Sequence, residues 1–231
     1  MANHSMRNFY ETIAKQEPHL LTKVDNPNFA LHHISLPFRA VIVAPSGSGK
    51  TNMLLNLIEL FSRGKGTFST IHVITRCADE PIYQFLKTKS SSIVISEGLS
   101  TLPKLDPKVF DKTLNHLVVL DDLVLSKNLD SVAEYYCRCR KFGVSIIFIS
   151  QSFYKIPKFI RSNCSLIICL KLSGQRDANL ILSEFNLGVT KEKLLEIYEY
   201  CTREKFDAMI VDLETDKAHR FRRNFTDFVP V

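Results

Sequence analysis

The chain is a succession of short apolar runs, each followed by an amphipathic or polar stretch. Arg39–Ala44 (RAVIVA), Thr70–Thr75 (TIHVIT), Ser92–Ser96 (SIVIS), His116–Leu120 (HLVVL), Val144–Ser150 (VSIIFIS) and Ser165–Leu170 (SLIICL) are rich in β-branched residues and show little polar alternation. Such runs predict strands covered on both faces. Ala208–Asp212 and Arg220–Phe225 close the chain as further strands. Between them, Leu54, Leu55, Leu57, Ile58 and Phe61 repeat at helical spacing within Thr51–Phe61. Glu80–Lys87, Asp130–Lys141, Arg176–Phe185 and Lys191–Tyr200 are also predicted helical, with a turn or two over Ile156–Arg161. Thr190 is placed to cap the last helix, although Lys193 stands where a capping box would want Glu. Strands alternating with helices predict an α/β fold with a mainly parallel central sheet flanked by helices. Residues 1–28 are polar and mixed, with Pro18 and Pro27 and no clear period. The expected organisation is an N-terminal arm or lead-in over 1–35 and one domain over 36–231. No internal repeat, low-complexity segment or dividing linker interrupts it.

Composition excludes some classes. An apolar fraction of 45 % and a charged fraction of 23 % over 231 residues suit a globular protein and argue against disorder or a fibrous repeat. The net charge of +6 is compatible with a polyanionic partner. No apolar run reaches the roughly 18 residues of a membrane span. The N-terminal MANHSMRNFYETIAKQ lacks the continuous apolar core of a signal peptide, so the expectation is a protein that is not secreted. The cysteines at 77, 137, 139, 164, 169 and 201 form no C-x-x-C and no zinc-finger spacing, which suits reduced thiols, most of them buried.

The chemistry concentrates in Ala44-Pro45-Ser46-Gly47-Ser48-Gly49-Lys50-Thr51. This matches G-x-x-x-x-G-K-[ST] except that Ala44 replaces the first glycine, and it joins a predicted strand to a predicted helix. Gly47 and Gly49 let successive N–H groups curl around one anion, and the helix N-terminus adds partial positive charge. Lys50 is the expected partner of the β- and γ-phosphates, and Thr51 the hydroxyl ligand of Mg²⁺. An Mg²⁺-binding carboxylate is then needed at the end of a neighbouring strand. Leu117–Leu120 leads into Asp121 and Asp122. Asp121 is the expected metal ligand, and Asp122 the group that polarises the attacking water.

Gln151 ends another predicted strand, where an amide can contact the γ-phosphate without serving as a base. Residues 135–161 hold Arg138, Arg140, Lys141, Lys155, Lys158 and Arg161 and no acid. One-signed runs of this kind suggest an arginine acting on a neighbouring subunit's nucleotide, contacts to DNA phosphates, or a plain basic surface. A second basic group, Lys217, His219, Arg220, Arg222 and Arg223, is offset by nearby acids. Leu172-Ser-Gly-Gln-Arg176 resembles an ABC transporter signature, but it follows the acidic pair instead of preceding it and reads as a loop and helix start.

Taken in order, APSGSGKT, VVLDD, CRKFGVSIIFISQSFYKIPKFIRSN and a QRDANLI helix resemble the poxvirus-type genome-packaging ATPases of large double-stranded DNA viruses and virophages, within the HerA–FtsK superfamily. The resemblance spans roughly residues 36–225. Its most specific block runs from Arg140 to Asn163, although Cys139 and Lys141 flank Arg140 where the family often has Gly and His. The resemblance implies a RecA-like P-loop core, ATP and Mg²⁺ as cofactors, and a ring of identical subunits moving duplex DNA into a capsid. It also implies capsid or portal-like viral partners and a place in the host cytoplasm, at the viral factory, or in the virion. With Asp122 and Gln151 read from their own positions, the resemblance maps the family's arginine onto Arg140, and these three are the expected catalytic residues. The rival readings are a nucleotide kinase, which would need an arginine-rich lid, and a non-motor P-loop binding protein. A GTPase would carry N-K-x-D, which is absent from the sequence.

Overall fold

The computed structural model describes residues 6–18, 21, 25–126 and 129–231. Of the expected lead-in, residues 1–5, 19–20 and 22–24 lie outside the described residues. Within the rest, α1 (Phe9–Gln16) is a helix whose start Asn8 caps by accepting from the Tyr10 N–H, and none of its residues is buried. A short turn of helix, α2 (Phe29–His32), follows.

The strands are β1 (Arg39–Val43), β2 (Thr70–Thr75), β3 (Ile93–Glu97), β4 (His116–Asp121), β5 (Val144–Ser150), β6 (Leu166–Cys169), β7 (Met209–Asp212), β8 (Phe221–Arg223) and β9 (Asp227–Phe228). The main helices are α3 (Lys50–Ser62), α4 (Pro81–Lys87), α5 (Asp130–Arg138), α6 (Lys158–Arg161), α7 (Gln175–Glu184) and α8 (Lys191–Cys201). Thr190 caps α8 through the Lys193 N–H. All strands join one sheet in the order β3-β2-β4-β5-β1-β6-β7-β8-β9. β3 through β6 pair in parallel, whereas β7, β8 and β9 add on antiparallel. The predicted helix over 130–141 tightens after Arg138 into a 3₁₀ turn, Cys139–Phe142, ended by Gly143 at φ 65°.

The uniformly apolar strands have the expected cause. Alternate residues of each central strand enter separate cores on opposite faces, as the two-residue period of a strand requires. Val41, Val118, Phe148 and Ile167 pack with α5, α6, α7 and α8 on one face. Ala40, Ile42, Val119, Ile147 and Ile168 pack with α3 and α4 on the other. Each Val, Ile or Phe side chain among them contributes about 1.5–3 kcal/mol on full burial.

The second core also takes in the end of the expected lead-in. Ile34 is buried there. The Asn28 amide donates to the carbonyls of Phe61, in the last turn of α3, and Arg63, just past its end. His32 is buried beside Phe61, and burial lowers its pKa to about 4, with Arg222 adding to the effect. Residues 28–34 therefore pack as part of the body, although the sequence pattern there shows no period.

Candidate functional site

β1 delivers the loop at its C-terminal end, and α3 leaves it. Gly47 and Gly49 have φ of 75° and 98°, the left-handed region that glycine enters without a Cβ penalty. Ala44 is absent from the non-glycine residues with positive φ, which are His33, Asp122, Phe206 and Asn224 among those described. Its N–H donates to the Ser150 carbonyl at 3.2 Å, so it continues the sheet. That is why alanine serves where the motif has glycine. The loop closes on itself: the Ser48 hydroxyl donates to the Pro45 carbonyl at 2.5 Å, and the Lys50 ammonium donates to the same oxygen at 2.9 Å. Burial lowers the Lys50 pKa, and Asp121 and Asp122 oppose that shift. The lysine thus lies within electrostatic reach of both acids.

β5 sits between β1 and β4, which makes the three strand ends neighbours. In register, Val43 lies opposite Ser150, and Ile149 lies opposite Asp121. Gln151 follows at the same end and is exposed. The loop, the acidic pair and Gln151 are therefore gathered at one edge of the sheet. Asp121 is 8 % exposed, and burial raises its pKa. Asp122 is half-buried and has φ 53°. A non-glycine residue held there stores strain, and such strain collects at functional sites.

One member of this cluster is not evident in the sequence. Tyr83, on α4, is fully buried, and its hydroxyl donates a short hydrogen bond to Asp121 Oδ2. Burial and Asp121 push the Tyr83 pKa far up, so it stays a phenol. Thr51, at the start of α3, is close enough to the phenol to work against that rise in pKa. The two residues expected to hold Mg²⁺ thus both lie beside one phenol, which is bonded to Asp121. Their hydroxyl and carboxylate oxygens are the hard donors that Mg²⁺ takes alongside water and phosphate. In the sequence, Tyr83 differs in nothing from an ordinary core residue three before Leu86. Among the described residues, no group of three or more His, Cys, Asp or Glu forms a separate metal cluster.

The basic segment does not gather there. Arg140 precedes β5, at the end of that strand remote from Gln151. It pairs with Glu214 at 3.5 Å, and Arg39 approaches the same carboxylate at 3.7 Å. Arg138 pairs with Glu134 on its own helix. Arg161 is buried against Glu184, its Nε donating at 2.7 Å, and its Nη1 donates to the Tyr154 and Ile156 carbonyls. It braces α6 against α7. The C-terminal basic group is also largely engaged. Arg222 is buried on Asp212 at 3.0 Å, Arg223 donates to Asp207 at 2.8 Å, and Arg220 donates to the Leu187 carbonyl at 3.0 Å. Leu172–Arg176 forms the loop and first turn of α7, capped by Gly174. Cys139, Cys164, Cys169 and Cys201 are buried thiols, and burial raises their pKa values, for Cys139 to about 11. No helix of the described residues is long and apolar enough to cross a membrane.

Solved structures share this fold. The DNA-packaging ATPase B204 from Sulfolobus turreted icosahedral virus is 14% identical with TM-score 0.57, over 90% of this chain and 100% of that one. The genome packaging NTPase B204 from Sulfolobus turreted icosahedral virus 2, in complex with ATP-gammaS, is 14% identical with TM-score 0.59, over 83% and 98%. ATPases 2 and 3 of EssC from Geobacillus thermodenitrificans are 9% identical with TM-score 0.56, over 84% of this chain and 40% of that one. At these identities the likeness is one of fold. Among curated proteins none matches in sequence. Residues 28–214, most of the chain and all of the gathered site, match the family described as poxvirus A32 protein. The chain is a member of that family.

Proposed function

We propose that this protein is an ATP hydrolase that drives viral double-stranded DNA into a capsid, working as a ring of identical subunits within the HerA–FtsK superfamily. The observation that carries this reading is the meeting of the phosphate loop, buried Asp121 and strained Asp122 at one end of three adjacent parallel strands. Family membership and the fold shared with packaging ATPases support the DNA-driving role.

In this reading the N–H groups from Gly47 to Thr51 bind the β-phosphate, and Lys50 leaves the Pro45 carbonyl for the β- and γ-oxygens. Thr51 and Asp121 are the residues to hold Mg²⁺, which when bound neutralises charge on the transferring phosphoryl group. Tyr83 keeps both ligands oriented, as outer partners of metal ligands do. Asp122 accepts the proton of the attacking water, and the Gln151 amide steadies the γ-phosphate. Arg140, remote from its own subunit's loop, is assigned to the nucleotide of a neighbouring copy. The domain that does this work spans 36–231, with residues 28–34 packed onto it. Capsid or portal-like proteins are its expected partners, at the host viral factory or in the virion.

The test is ATP hydrolysis by the purified chain with and without duplex DNA. Hydrolysis that rises with duplex and vanishes in Lys50→Ala supports a DNA motor. A rate indifferent to DNA, with phosphate passed to a nucleotide acceptor, would instead reveal a kinase.

A further inference from the structure

The segment between α8 and β7 turns back over Gly49. Phe206 in it has φ 73°, a strained conformation for a bulky side chain, yet its ring is 46 % exposed. The ring lies so close to the loop that a Cβ on Gly49 would meet it at 2.5 Å. The turn is braced from behind: the Asp207 carboxylate accepts from Arg223 and from Asn224, both at 2.8 Å. Beside Phe206 is a cavity of about 280 Å³ walled by Ser48, Leu170, Lys171, Arg203, Lys205 and Phe206, with Glu204 at its rim. Its floor, Leu170, is buried, and the Lys205 ammonium is 5.0 Å from the Phe206 ring centre.

Strand order says what belongs in it. β1 has β5 and then β4 on one side, and β6 and then β7 on the other. Asp121 and Asp122 lie on the β4 side, so a triphosphate on the loop points its γ end that way. Its other end then points toward β6 and β7, where Leu170, Lys171 and the 203–207 turn lie. We infer that this cavity takes the base and ribose of the nucleoside triphosphate, with Phe206 as the stacking surface for the base. The inference rests on the loop binding phosphate, as proposed above. The cavity is small, with an apolar floor at Leu170 and charged residues around it, which suits a base and a polar sugar whose phosphates lie outside it. Aromatic rings and arginine planes grip any base through its face. Glu204, which lines the cavity, supplies a carboxylate that would accept from ribose hydroxyls.

The experiment titrates the full chain with ATP-gammaS and, separately, with inorganic tripolyphosphate, which has no base. The variants are Phe206→Ala, Phe206→Tyr and Lys50→Ala, each checked for native circular dichroism. Phe206→Ala should weaken ATP-gammaS by roughly 5- to 100-fold, the worth of one base–aromatic stack, and leave tripolyphosphate unchanged. Phe206→Tyr should recover most of that loss, and Lys50→Ala should weaken both ligands. Equal affinity of Phe206→Ala and the parent for ATP-gammaS, with Lys50 still required, overturns this inference and leaves the proposed function standing. Loss of both ligands in Phe206→Ala makes the residue a mere prop for the loop and also overturns it. A change confined to duplex DNA affinity does the same. A parent chain that binds neither ligand sinks both readings.

Discussion

The two ends of β5 carry polar residues of opposite kinds and treat them differently. Beyond Ser150, strand pairing brings together side chains from distant parts of the chain: Lys50, Tyr83, Asp121 and Asp122. They are buried or half-buried: Tyr83 bonds to Asp121, and Lys50 feels the charge of both acids. Before Val144, Arg138 and Arg140 are exposed and make only surface pairs. In sequence, Arg138 to Arg161 looks like one cationic stretch. A strand of seven residues at about 3.3 Å each puts roughly 20 Å between its ends, so the stretch cannot act as one patch. Arg161 leaves it altogether by folding onto Glu184. A run of one charge sign predicts a surface only when no strand or buried pair divides it.

The largest effects should come from the two extremes of this comparison. Lys50→Ala should bring hydrolysis to background, and Arg140→Ala should lower it by about 10³–10⁵ in the assembled form, the worth of an arginine acting in trans. Arg140→Ala should leave ATP binding to isolated subunits intact. Mixing the two variants should restore part of the rate, because some interfaces then pair an intact arginine with an intact loop. No recovery at any ratio, together with weaker DNA binding and a shallower salt dependence, would make Arg140 a phosphate contact to DNA.

At the loop end, Asp122→Asn should keep Mg²⁺-dependent ATP binding and slow turnover by about 10²–10⁴, the range for a lost proton acceptor. Asp121→Asn should weaken the Mg²⁺-dependent binding itself. Indistinguishable titrations of the two would remove the division of roles. Tyr83→Phe deletes one hydroxyl and should raise the Mg²⁺ concentration for half-maximal hydrolysis by about 10–100-fold, the usual cost of a lost outer-shell partner. An unchanged Mg²⁺ dependence would reduce Tyr83 to packing.

The smallest changes separate the arginines by stability alone. Arg161→Ala leaves Glu184 half-buried and unpaired and should cost about 3–5 kcal/mol in denaturant unfolding. Arg138→Ala removes an exposed pair and should stay within about 0.5 kcal/mol. Comparable losses for the two would mean that burial does not distinguish them.

How much of this was legible beforehand depended on how local the cause was. The phosphate loop was readable because Gly47, Gly49, Lys50 and Thr51 fall within eight consecutive residues between a strand and a helix. Asp121 and Asp122 were readable because an apolar run ends abruptly in charge. α1 escapes the sequence reading because it is only eight residues long and buries none of them, although Phe9, Tyr10 and Ile13 fall on one side of it. The packing of Asn28, His32 and Ile34 was missed because it depends on α3 and on Arg222, near the far end of the chain.

Strand and helix types, their order and the identity of the loop were determined by the sequence itself, since period, capping and glycine placement are properties of neighbouring residues. Tertiary structure decided which strand ends meet, that a tyrosine from α4 bonds Asp121 beside Thr51, and that a strained phenylalanine from the turn before β7 lies on Gly49. It also decided that the arginines divide between a surface and a core. These follow from sheet order, and sheet order is set by burying two apolar faces at once, a condition on the whole chain that no local stretch contains.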